Sequence, residues 1–172
     1  MTRSSDFNLE AVYAALDRQR RARDLSWPQA TRQINRQSER HSIHPLSVST
    51  VAGLRTKAVA EGDGVLQMLL WLNRSPESFM PEHPECEDVR ERLPEVPSHQ
   101  ILRFDTAKLH AALDGQRTAK SMTWAQVAQE VGLGVSSLTH LSRGGRTGFP
   151  HVMRIVRWLN RPAAEFTRAS DY

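Results

Sequence analysis

Cysteine occurs once in the 172 residues, as Cys86, so no disulfide can form within the chain and cross-links are excluded as a source of stability. Aromatic side chains make up only 6%, and the stacking platform on which single-stranded nucleic acids are read is missing. The longest mainly apolar run, Val65 to Leu72, is far too short to span a bilayer, and Met1 to Asp6 lack the apolar core of a secretory signal. A cytoplasmic protein with no membrane partner is expected. Glycine-rich phosphate loops and nucleophile elbows are also lacking, and the carboxylates gather outside the apolar segments where a raised pKa would be expected. The expectation is a protein that is not an enzyme and needs no cofactor. His41-x-x-His44 and His83-x-x-Cys86 have metal-like spacing but not the paired cysteines of a structural zinc site, so no metal is expected.

What is present is ordinary for a globular chain: 39% hydrophobic and 24% charged residues, a net charge of +4 and a pI near 9.8, which favour a polyanionic partner. The sequence also repeats itself. Phe7, Ala14-Ala15-Leu16-Asp17, Gln19-Arg20, Ala22, Trp27 and Gln29 recur 97 residues later, from Phe104 to Gln126. Val48-Ser49, Leu54, Val65, Trp71-Leu72-Asn73-Arg74 and Phe79 recur 87 residues later, from Val135 to Phe166. The first copy therefore carries ten extra residues between Ile34 and Val48. Duplicated domains with separate cores are expected rather than one continuous core.

Three segments follow: a first domain at 1–79, a linker at 80–103 and a second domain at 104–172. The linker holds four prolines and six acidic residues against three arginines, so both flanking domains become more basic once it is set aside. Within it, Glu85 to Leu93 could form a short helix, and Ile101-Leu102 could pack on the edge of the second domain. Each domain should contain five helices. The first spans roughly Leu9 to Arg23, and in the second copy Thr106 to Lys120. The fourth spans roughly Gly64 to Leu72 and Pro150 to Leu159 and must be core, with Trp71, Trp158, Phe79 and Phe166 as core aromatics. Ser75-Pro76-Glu77 reads as the start of a short fifth helix.

The centre of the second copy is Thr123 to Arg143. Thr123 is a good N-cap, Val127 and Val131 share one face, and Gly132 supplies the left-handed residue that stops a helix. Gly134 can then cap a second helix in which Val135, Leu138 and Leu141 form an apolar stripe. This stretch resembles the phage-lambda-repressor-like (Cro/repressor, or XRE) helix-turn-helix domains, carried by Val127-Ala128, Gly132-Leu133-Gly134, Ser136, Leu138, Leu141 and Gly144. The fold expected is all-α: two tandem small five-helix units of this kind, joined by a Pro-rich acidic linker.

The resemblance places Val135, Ser136, Ser137, Thr139 and His140 at the groove-facing start of the second helix, with Arg143 and Arg146 near backbone phosphates. Hydroxyls can bond base edges and valine can touch a thymine methyl, but the Arg, Asn or Gln that makes bidentate base contacts is missing from the first turn. Trp124 lies near a phosphate or packs against neighbouring helices; both remain open. Arg117 and Lys120 are further phosphate candidates. In the first copy Ser47 still caps, Val48, Val51 and Leu54 keep the core stripe, and Ser49, Thr50, Gly53, Arg55, Thr56 and Lys57 are presented. The insertion either adds contacts through Arg36, Arg40 and His41 or blocks the face. The function expected is sequence-selective binding of double-stranded DNA by a bacterial or phage transcriptional regulator, acting as an intramolecular pseudo-dimer or with a homodimer or protein partner. The alternative is a protein-interaction adaptor or antitoxin-like partner in which one or both domains no longer bind DNA.

Overall fold

The computed structural model describes residues 7–35, 46–81, 83, 88–97 and 99–171. The chain is mainly helical and runs through the same series of elements twice. The first series is α1 (Leu9–Ala22), α2 (Trp27–Asn35), α3 (Val48–Ala52), continued by a 3-10 turn Gly53–Thr56, and α4 (Gly62–Leu72), closed by a 3-10 turn Pro76–Phe79. The second is α5 (Thr106–Ala119), α6 (Trp124–Val131), α7 (Val135–Thr139), continued by a 3-10 turn His140–Arg143, and α8 (Phe149–Leu159), closed by a 3-10 turn Ala163–Phe166. Between them lies a 3-10 turn, Val89–Glu91.

The fold is not purely helical. Strand β1 (Ile101–Phe104) pairs antiparallel with β2 (Thr167–Ser170), with Arg103 opposite Arg168. β1 straddles the boundary between linker and second copy, and its Leu102 and Phe104 turn into the core. Its free edge is held by α4: Phe104 N–H donates to Asp63 Oδ1 at 3.0 Å, and Gln67 Nε2 donates to the Leu102 carbonyl at 2.8 Å.

Local signals explain the helix starts. Thr123 and Gln126 form a reciprocal capping box, and Ser26 and Gln29 make the matching pair of bonds at α2. Gly132 ends α6 at φ 75° and ψ 31°, where a side chain would be strained. Asn73 and Asn160 end α4 and α8 in the same left-handed region. In the first copy Asn35 bonds both the N–H and the carbonyl of Leu46, at 3.0 and 2.8 Å, so the ends of the insertion are clamped together and α3 still packs on α2.

Where the repeat predicts two cores, the buried side chains of both copies form one continuous cluster. The reason is α4 against α8. Gly62 N–H donates to the Thr147 carbonyl at 2.8 Å, and Phe149 N–H donates to the Ala60 carbonyl at 2.8 Å. The bridge joins Glu61 to Gly148, residues 87 apart and therefore equivalent in the repeat. A local two-fold axis passes between them.

Candidate nucleic-acid interface

The two short helices of each copy are positioned by their buried faces. Leu138 of α7 and Leu141 of the turn that continues it, and Val51 and Leu54 of the first copy, are buried, so the opposite faces stand outward. Val135 and Val48, the first residues of their helices, leave the expected core stripe: they are 42% and 38% exposed. Val135 thereby joins the outward surface on which Ser136, Ser137, His140, Arg143 and Arg146 are also exposed. Thr139 is half-buried, and its hydroxyl donates back to the Val135 carbonyl at 3.2 Å, a bond within its own helix.

In the first copy Ser49, Arg55, Thr56 and Lys57 are exposed, while Thr50 and Gly53 are half-buried. Ser47 Oγ lies 2.9 Å from Ser49 Oγ and 2.8 Å from Thr50 Oγ1, so the cap gathers both hydroxyls. Thr56 Oγ1 donates to the Gly53 carbonyl at 3.2 Å. Arg36, Arg40 and His41 lie outside the described residues.

Several aromatic and basic candidates are committed elsewhere. Trp124 stacks on His110 of α5 with ring centres 5.2 Å apart, and the Arg117 guanidinium sits 5.1 Å over its ring. Arg117 also pairs with Asp114 and donates to the Met122 carbonyl at 2.9 Å. Trp27, Tyr13 and Arg20 repeat this arrangement in the first copy. Lys120 lies 4.8 Å over Trp158, whose indole N–H donates to Glu130 at 2.7 Å. Phe79 and Phe166 are buried as expected, whereas Trp71 and Trp158 are only half-buried and carry a cation on the outer face.

Arg143 and Arg146 are different, because neither forms an ion pair among the described residues. With Ser137, His140 and His151 they surround a recess of about 430 Å³ that reaches Gly148 at the bridge. His151 comes from α8, and burial, reinforced by the nearby Arg154 charge, lowers its pKa and favours the neutral ring. Sequence reading missed His151; aligning the repeats would have exposed it, since its counterpart is Gly64.

Among the described residues no group of three or more His, Cys, Asp or Glu side chains could hold a metal. His83 pairs with Glu91 at 2.8 Å, while Cys86, His41 and His44 lie outside the described residues. No described helix is long and apolar enough to cross a membrane. Neither protein-family models, curated proteins nor solved structures give a match to the chain.

Proposed function

We propose that the chain is a sequence-selective binder of double-stranded DNA, a bacterial or phage transcription regulator built from two tandem lambda-repressor-like units that act as a dimer within one chain. The bridge between the repeat-related Glu61 and Gly148 carries this reading, because proteins of this type meet two half-sites by pairing two copies about a two-fold axis. Segments 57–61 and 144–148 run from the ends of the two candidate reading elements into that bridge. A five-residue segment reaches at most about 17 Å, so the two ends lie within about 40 Å of each other. That range admits half-sites one helical turn apart, roughly 34 Å, and excludes ends held two turns apart.

The outward hydroxyls, Val135 and the arginines are chemically suited to base edges, thymine methyls and phosphates. Selection from random and native upstream duplexes tests the reading. A motif bound by one chain per duplex is expected, with Ser137→Ala/His140→Ala and Ser49→Ala/Thr50→Ala degrading different halves of it. If no motif emerges and binding is weak at every salt concentration, the chain is the protein-interaction adaptor instead.

A further inference from the structure

The two copies match in the first three residues of their short outward helices and differ in what could hold a phosphate. Val48-Ser49-Thr50 and Val135-Ser136-Ser137 occupy equivalent places at the start of α3 and α7, with nearly the same chemistry. Beyond them the copies diverge. His140, Arg143, Arg146 and His151 around the recess correspond to Gly53, Thr56, Val59 and Gly64, so among the described residues these four places carry no cation in the first copy.

The hydroxyls diverge too. Ser47 holds Ser49 and Thr50, but its counterpart Gly134 has no side chain, and exposed Ser136 and Ser137 are not gathered by a cap. The first copy does carry Arg55 and Lys57, at the places of Ser142 and Gly144. The Arg55 guanidinium instead lies 5.8 Å over the Tyr13 ring.

We infer that the recess formed by Ser137, His140, Arg143, Arg146 and His151 seats a backbone phosphodiester of duplex DNA, and that the chain grips its site unequally. It reads two inverted half-sites and anchors itself through the half under the second copy. This rests on the function proposed above. Phosphate neutralisation releases counterions, so it is read directly as the dependence of affinity on salt.

The test uses the full chain on its selected duplex, with binding measured from about 50 to 200 mM salt and phosphate-ethylation interference mapped on both strands. Each neutralised phosphate contributes about 0.9 to the logarithmic salt slope, so Arg143→Gln/Arg146→Gln, which empties the one seat, should lower the slope by about 1. Arg55→Gln/Lys57→Gln should lower it by less than half as much. Interference should cluster on one half-site.

Thr56→Arg/Val59→Arg supplies the converse: both positions are exposed, and the pair should raise the slope by about 1 and make the interference two-sided. Equal slope losses for the two arginine and lysine pairs, or interference balanced on both halves in the unaltered chain, would overturn the unequal grip while leaving DNA binding intact. Failure of the unaltered chain to bind any duplex at low salt would remove both.

Discussion

Glu77 ties the closing turn of the first copy to that of the second. Its Oε1 accepts from the Ala163 N–H at 2.6 Å, while Oε2 is buried with no hydrogen-bond partner among the described residues. Burial is the main cause of its raised pKa; the Ala163 bond opposes it, and Glu91 adds to it. The folded chain therefore holds this proton to a higher pH than the unfolded chain, whose carboxyl titrates near 4.5. The stability contribution is fully present below that value and is lost as pH rises through the folded pKa. Glu77→Gln has no proton to lose and keeps an oxygen for Ala163. Its melting temperature relative to the unaltered chain should be more favourable at about pH 7 than at about pH 4.5. Parallel pH profiles would show that Glu77 stays charged in the fold. The signal for Glu77 in the sequence was only a first-turn acid after Ser75-Pro76, and that it meets Ala163 depends on the other copy. Val48 and Val135 show the reverse: periodicity put them in a core stripe, yet they stand exposed at the starts of their helices.

At the scale of elements, α4 and α8 meet through unlike first residues. Phe149 is fully buried, 4.5 Å from the Phe7 ring and 5.4 Å from the Phe104 ring, two phenylalanines that are themselves repeat-related. Its counterpart is Gly62, where a Cβ would lie 2.8 Å from Phe104 Cδ2 and 3.0 Å from the Thr147 carbonyl oxygen. One large and one absent side chain fit at the axis; two of the large kind would collide, and two of the absent kind would leave a void. This complementarity favours pairing within the chain over pairing of like copies. Phe149→Ala should cost about 3–5 kcal/mol in denaturant unfolding. Gly62→Ala should also lower stability, although alanine favours a helix interior by about 1 kcal/mol. A Gly62→Ala protein more stable than the parent would mean that the close contact at Phe104 relaxes freely.

For the whole molecule, the continuous core and the two copies' shared bridge make unfolding a single event. The chain should sediment as one 19.5 kDa body and melt in one cooperative transition with equal calorimetric and van't Hoff enthalpies. Two resolved transitions would mean that the copies are independent.

The sequence by itself determined the helix starts and stops, the duplication and the place of the insertion. Caps, glycine turns and apolar spacing act over three or four residues and so can be read along the chain. It also marked the outward hydroxyls and Arg143 and Arg146 as one surface. Only the tertiary structure decided that β1 pairs with β2 some sixty residues on, that Arg117 and Lys120 are occupied by Trp124 and Trp158, and that His151 completes a recess with α7. It alone decided that two repeats share one core. Those outcomes depend on which surfaces meet across the axis, where a glycine against a phenylalanine leaves room for one arrangement, and no local pattern records that meeting.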